Sequence, residues 1–120
     1  MKIILTTVTL LSALLAPLAQ AEGDLKNGKL LYSAQCIACH SIAVSMAGPA
    51  HKGVFGRRVA SVADFEYSPA LKKSKLLWTE KNLDLWLSNP EKFIPGQKMG
   101  YAVASAKDRE DLIAYLKSQP

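Results

Sequence analysis

The five residues CIACH, at positions 36–40, hold both cysteines of the chain and one of its two histidines. This C-x-x-C-H spacing is typical of the attachment sequence for c-type haem. Near the end of a helix, Cys36 and Cys39 lie on one face, so both thiols can reach the vinyl groups of one porphyrin and form thioethers. The next residue, His40, can then place an imidazole nitrogen on the iron. We therefore predict one covalently attached haem c with His40 as an axial ligand.

Three other uses of closely spaced cysteines fit this chain less well. A thioredoxin-like redox site needs a βαβ context, and the sequence contains no convincing strand. A zinc site needs a fourth ligand, for which His51 is the one spare nitrogen or sulfur donor of the preferred type. A structural disulfide between Cys36 and Cys39 would close a very small loop and add little stability.

The first 21 residues have the composition of a secretory signal peptide. Lys2 is their only charge, a long apolar stretch follows, and Ala-Gln-Ala at 19–21 fits a cleavage site with small residues. The apolar stretch approaches the length of a membrane span, but Pro17 and the cleavage site favour removal over anchoring. We predict a signal peptide at 1–21, a mature domain at 22–120 and export to a bacterial periplasm.

The charge of the chain argues against a nucleic-acid partner. The formal net charge is +5, and it falls to +4 without Lys2. The basic residues are mixed with acidic ones and do not form the concentrated stripe of a nucleic-acid-binding domain. No second apolar run is long enough to span a membrane, so no stable anchor is expected after cleavage. A mildly basic surface suits partners with acidic docking surfaces.

Apolar spacing and capping residues predict four helices in the mature domain. About 100 residues with long irregular segments between such helices make a thin core, and a large buried cofactor would supply the missing apolar surface. The predicted helices, with the N-caps Asp24, Ser68, Thr79 and Ser105, span residues 24–36, 68–73, 79–89 and 105–119.

Four segments of the chain together resemble class I cytochromes c, the soluble bacterial and mitochondrial type. The segments are GKLLYSAQCIACHS, GPAHKGVFGR, NPEKFIPGQKM and DLIAYLK, and the resemblance runs from about Gly23 to Lys117. It implies an all-α fold of about four to five helices with long loops wrapped around one covalently bound haem. It also implies that the terminal helices cross, and the matching positions are Gly28, Tyr32, Leu112 and Tyr115.

The resemblance also implies the second axial ligand. Met99 stands in PGQKM, where the family carries its distal methionine; the alternative for Met99 is that it only fills core space. Met46 lies too near the attachment site, in a segment rich in glycine and proline, to be the expected ligand. The family pattern places His51 in a loop, so we expect a surface histidine there.

Other positions of the haem pocket follow from the same resemblance. Pro49 matches the proline whose carbonyl accepts the N–H of the proximal imidazole, a contact that fixes the ring. Trp86 takes a position beside the methionine that is often tyrosine, and plain core packing is its alternative. The residues that match positions contacting the haem propionates are Arg57, Tyr67 and Trp78.

The chain departs from the mitochondrial pattern in two regions. The segment between Met99 and Arg109 is about one residue shorter, and Val103 stands near a usual glycine. The ring of lysines that meets acidic partners is incomplete, because Gln35 and Glu91 occupy lysine positions. The lysines that remain as docking candidates are Lys52, Lys92 and Lys98.

These features together predict a monomeric one-electron carrier that shuttles between periplasmic or membrane redox partners of a respiratory chain. With His40 and Met99 on the iron, no coordination site is open to substrate, and we find no acid/base constellation, so an enzyme is not expected. Two alternatives stay open. One is a haem-based gas sensor in which Met99 is displaced, and the other is a dedicated electron-transfer subunit of a single oxidoreductase.

Overall fold

The computed structural model describes residues 22–120, so the predicted signal peptide at 1–21 lies outside the described residues. The predicted all-α class with four to five helices is confirmed. Residues 22–120 contain no strand, and one isolated bridge pairs Arg58 with Leu77. The helices are α1 (Leu25–Gln35), α2 (Pro69–Lys73), α3 (Glu80–Ser88), α4 (Pro90–Phe93) and α5 (Ala106–Lys117).

The N-caps that the sequence predicts are confirmed at the four helices it anticipates. In each case the side-chain oxygen accepts a backbone N–H of the first turn, which satisfies a donor that the helix itself leaves unpaired. The accepting residues are Asp24 for α1, Ser68 for α2, Thr79 for α3 and Ser105 for α5.

The short helix α4 lies between two predicted helices, in a segment where the sequence predicts none. Asn89 ends α3 and also caps α4, where its Oδ1 accepts the N–H of Lys92 at 3.0 Å. Pro90 occupies the first helical position, where a missing N–H costs nothing. The Asn-Pro pair is therefore the same start signal as Ser68-Pro69.

The first and last helices cross in close contact, as the resemblance implies. A Cβ on Gly28 would lie 1.9 Å from the carbonyl oxygen of Asp111 and 3.0 Å from Cβ of Tyr115. Tyr32 and Leu112 are buried at this crossing. Only glycine fits at position 28. Glycine lowers the helix propensity of α1, and the close packing of the two backbones offsets this cost.

The carboxylate of Asp111 is buried and joins α5 to the beginning of α1. It accepts the backbone N–H of Asp24 at 2.7 Å, the side-chain amide of Asn27 at 2.8 Å and the ammonium of Lys107 at 2.6 Å. These donors favour the charged form and lower the pKa of Asp111 to about 2, the bond from Lys107 having the largest effect.

We expect Asp111→Asn to destabilise the fold by about 2–3 kcal/mol at neutral pH. The substitution removes the charge-assisted hydrogen bonds, and the amide NH₂ group that replaces one carboxylate oxygen cannot accept from the three donors. Because the pKa of Asp111 is lower in the folded than in the unfolded chain, its stabilisation is present above about pH 4 and is lost as the pH falls toward about 2. Denaturant unfolding at pH 7, and between pH 4 and 2, measures both effects.

Asp108→Asn on the first turn of the same helix is the matched control, because this carboxylate is only half-buried. The control should change the unfolding free energy by a few tenths of a kcal/mol at most, in about the range of a helix-dipole contact. Equal losses for the two variants would contradict the role given to Asp111.

The buried core lies between the helices and two long loops, which carry the predicted site. In residues 22–120, none of the helices combines the length and apolarity needed to cross a membrane. Val103, where the family pattern has glycine, is 4% exposed, and its N–H is bonded to Leu87 O at 2.8 Å. The core residues are Tyr32, Val54, Val59, Trp78, Leu83, Trp86, Ile94, Val103, Leu112, Ile113 and Leu116.

Candidate functional site

The CIACH segment forms a tight turn directly after α1. Cys36 is the C-cap of the helix, and its carbonyl accepts the N–H of Cys39 at 3.1 Å and of His40 at 2.9 Å. The two cysteines form no disulfide. The turn therefore presents two free thiols and an imidazole within one short stretch of backbone.

The environment of the thiols differs from that of a redox or zinc site. Burial raises the pKa of the Cys36 thiol to about 11, whereas reactive cysteines and metal-bound thiolates occur where the pKa is lowered. In the part of the chain that the structure describes, no group of three or more His, Cys, Asp or Glu residues could hold a metal ion. Two free thiols on one short turn are suited to thioether bonds with a porphyrin.

The imidazole of His40 is fixed by the carbonyl of Pro49, as the resemblance implies. The distance between His40 Nδ1 and Pro49 O is 2.9 Å. Because a carbonyl oxygen only accepts, Nδ1 carries the proton and the lone pair stays on Nε2. Burial lowers the pKa of His40, and the bond to Pro49 opposes this effect. The ring is thus a neutral ligand with one defined free nitrogen.

Gly48 lies against the face of the same ring, a contact that sequence reasoning missed. A Cβ at this position would lie 2.2 Å from Cε1 of His40 and 2.6 Å from Nδ1. The glycine directly precedes Pro49 in the motif segment GPAHKGVFGR, and this was the available signal. Its role is to leave room for the imidazole.

We expect Gly48→Ala to push the imidazole of His40 away from Pro49 and to destabilise the fold by about 1–3 kcal/mol, the usual cost of overpacking. The visible spectrum of the haem-loaded protein and its unfolding free energy measure these effects. Gly100→Ala is the control, because nothing lies within 4 Å of the added Cβ. Native stability and an unchanged spectrum in Gly48→Ala would contradict this contact.

The structure places His51 partly buried, where the resemblance implies a surface residue. Its ring is stacked on that of His40, with centroids 4.0 Å apart and planes at 21°, and its Nδ1 lies 3.0 Å from the hydroxyl of Tyr32. Burial, then the neighbouring His40 and Arg57, lower the pKa of His51 to about 3, so the ring is neutral. The loop turns this side chain inward, which local sequence does not reveal.

The three residues predicted to contact the propionates lie close together. Arg57 and Trp78 are joined by the bond from Trp78 N–H to Arg57 O at 2.8 Å. The hydroxyl of Tyr67, a buried residue, accepts the N–H of Val62 at 3.1 Å, which leaves its own proton for another acceptor. Burial lowers the pKa of Arg57, and Tyr67 partly offsets this effect.

The Nε of Arg57 is available for an anion. Its Nη1 and Nη2 donate to the carbonyls of Lys52 and Ala50 at 2.8 and 2.7 Å. Its Nε is buried and has no partner among the described residues. Buried donors are almost always paired, so this atom fits a group that would bring a carboxylate, such as a haem propionate.

The segment PGQKM is braced by Glu91. The two carboxylate oxygens of Glu91 accept the N–H of Gly96 at 3.0 Å and the amide of Gln97 at 3.1 Å. Gly96 adopts φ +89°, which favours glycine. From the sequence, Glu91 is only a missing docking lysine, because its contacts with Gly96 and Gln97 depend on the path of the turn.

The two methionines of the described chain lie in different surroundings. Met99 is half-buried and packs against the apolar core, whereas Met46 is 49% exposed. Trp86 is buried and packs against Trp78, with ring centroids 5.3 Å apart. Together with the free thiols, the fixed His40 and the unpaired Nε of Arg57, this arrangement fits a haem.

Comparison with known proteins gives one consistent result. The family model described as cytochrome c matches residues 25–120. Cytochrome c of Tetrahymena pyriformis is 48% identical over 99 residues, which cover 81% of this chain and 90% of the relative. For cytochrome c of Gibberella zeae the identity is 42% over 101 residues, with 81% and 95% covered. The solved structure of cytochrome cH from Methylobacterium extorquens matches with a TM-score of 0.76 and 40% identity, covering 80% of this chain and 99% of that one.

Proposed function

This chain belongs to the cytochrome c family, and from that premise we propose that it is a periplasmic one-electron shuttle with His40 and Met99 as axial ligands of its haem iron. The family carries covalently attached haem c, and Cys36 and Cys39 fit its attachment motif. Its activity is electron transfer with redox proteins. The finer assignments depend on the geometry of this chain.

The observation that carries the proposal is the fixed imidazole of His40. The bond from Nδ1 to the carbonyl of Pro49 leaves Nε2 as the only nitrogen with a free lone pair. Gly48 and His51 pack on the ring and restrict its rotation. A ligand held in this way needs little rearrangement when the iron changes its charge.

Met99 would close the other side of the iron. The haem supplies a one-electron couple, and a thioether ligand raises its potential by favouring the ferrous state. The chain excludes water from the site with buried Tyr67, Trp78 and Trp86, and Arg57 offers its unpaired Nε to a propionate. A site that is closed on both faces suits outer-sphere electron transfer.

The charges on the surface support brief docking with acidic redox partners. Lys52, Lys92 and Lys98 are exposed, as a docking role requires. A shuttle must dissociate after each transfer, so a small interface steered by charge is the suitable type. With a signal peptide at 1–21, these partners would be periplasmic or membrane redox proteins, and the shuttle itself a monomer.

One observation favours a second function, binding of a gas at the haem. Within residues 22–120, the backbone of residues 98–102 makes no backbone hydrogen bond. A loosely held Met99 would exchange with carbon monoxide or nitric oxide more readily than a firmly held one. The sensor hypothesis requires this exchange, and the shuttle does not.

An optical spectrum of the exported protein, oxidised, reduced and reduced under carbon monoxide, distinguishes these functions. We expect a charge-transfer band from thioether to ferric iron, and a reduced spectrum that carbon monoxide leaves unchanged. A missing band with a prompt shift under carbon monoxide would reject the closed site and favour the sensor.

The mass of the exported protein tests its processing separately. Cleavage after Ala21 leaves a chain that begins at Glu22 and carries one haem. A mass that includes residues 1–21 would contradict the predicted signal peptide.

A further inference from the structure

The segment that carries Met99 is held by backbone hydrogen bonds on either side of it, and few hydrogen bonds hold the residues between them. We call residues 98–102 the distal strap. Before it, the N–H of Gln97 is bonded to Ile94 O at 3.2 Å, and after it the N–H of Val103 is bonded to Leu87 O at 2.8 Å. Among the described residues, no backbone–backbone hydrogen bond starts or ends on the strap.

Within residues 22–120, one side-chain hydrogen bond ties the distal strap to the end of α1. The hydroxyl of Tyr101 donates to Oε1 of Gln35 over 2.8 Å. Gln35 is the last residue of α1 and directly precedes Cys36, whereas Tyr101 follows Met99 by two residues. The bond therefore connects the segment of the thioethers with that of the distal methionine.

The two partners differ in how firmly they are held. Helix α1 is fixed on α5 by the close approach at Gly28 and by the bonds of Asp111. Tyr101 is 47% exposed, so burial of its ring contributes little to holding the strap. Beside Met99, a Cβ on Gly100 would meet nothing within 4 Å, so no neighbour packs where a side chain would stand at this position.

We propose that the hydrogen bond between Tyr101 and Gln35 is a latch that sets how readily an external ligand replaces Met99. The inference rests on the proposed ligation by His40 and Met99. Lifting of the strap breaks this bond, so loss of the bond raises the population of the open form. One net hydrogen bond corresponds to a change of about three- to tenfold in this equilibrium. Tyr101 and Gln35 are thus positioning residues that act through Met99.

The test is the binding of imidazole to the oxidised, haem-loaded protein. Binding is measured by the loss of the charge-transfer band. Tyr101→Phe keeps the ring and removes the donor, and Gln35→Leu removes the acceptor. We expect each variant to raise the apparent affinity for imidazole by about three- to tenfold, with an unchanged spectrum before imidazole is added. The double variant should bind no more tightly than either single one, because only one bond is lost.

Two controls separate the latch from general loosening. Gln35→Glu keeps acceptor oxygens and should bind imidazole as the wild type does. Tyr115→Phe removes a hydroxyl from α5, away from the strap, and should have no effect. Unchanged affinity in Tyr101→Phe, additive effects in the double variant, or an equal rise in Tyr115→Phe would each overturn the latch.

Failure of the premise gives a different result. If the wild type lacks the charge-transfer band and binds carbon monoxide at once, the assignment of Met99 as a ligand is wrong. The proposal of a latch, which depends on that assignment, is then wrong as well. If the wild type has the band but the variants bind imidazole as it does, only the latch is wrong.

Discussion

Replacement of Met99 by alanine should convert the closed haem site into an open one. The variant would lose the thioether-to-ferric charge-transfer band, and its reduced form would bind carbon monoxide promptly. Its potential should fall substantially, since axial ligands set haem potentials over a range of roughly 0.8 V and the thioether is the ligand that raises them. Optical spectra and a redox titration measure these changes.

Met46→Ala is the matched control, because it removes the same side chain from the other methionine of the described domain. Met46 is 49% exposed and lies in the loop after the attachment motif, so its loss should leave the band and the potential as they are. Persistence of the band in Met99→Ala, or its disappearance in Met46→Ala, would show that Met99 is not the ligand.

The helices could be predicted from sequence because their start signals are local. A cap such as Ser68 followed by Pro69 acts through the backbone of the next turn, and the structure has the predicted bond. The helix that was missed carries the same signal at Asn89 and Pro90, which was interpreted only as the end of α3. A proline that follows the end of one helix can also occupy the first position of the next.

The neighbours of the proximal ligand could not be predicted in this way. That His51 stacks on His40, and that Gly48 leaves room for the ring, depends on how a loop without regular period folds back on itself. A histidine in a loop rich in glycine is usually exposed, and no pattern along the chain marks this one as turned inward. Only the three-dimensional path of the loop reveals it.

The departures from the mitochondrial lysine pattern have a structural use in this chain. At the two positions where lysine is expected, Gln35 accepts a hydrogen bond from Tyr101 and Glu91 accepts two from the PGQ turn. A lysine has no acceptor and could make neither contact. The residues that weaken the predicted docking ring therefore brace the segment that carries Met99.

Gly28→Ala should destabilise the fold by about 3 kcal/mol or more, although alanine is the better helix former by about 1 kcal/mol. The added Cβ would lie 1.9 Å from the carbonyl oxygen of Asp111, an atom of the α5 backbone that no rotamer change can move. The two helices would have to separate, which disturbs the buried contacts of Tyr32 and Leu112. Denaturant unfolding of the haem-loaded protein measures the loss.

Ser33→Ala, on the exposed side of the same helix, tests the effect of propensity alone and should be neutral or slightly stabilising. Because α1 ends at Gln35 and Cys36 follows it directly, separation of the helices should also lower the haem content of the purified Gly28→Ala protein. A Gly28→Ala variant as stable as Ser33→Ala would mean that the crossing tolerates a side chain. Helix propensity, and not the close approach of the backbones, would then decide the stability at this position.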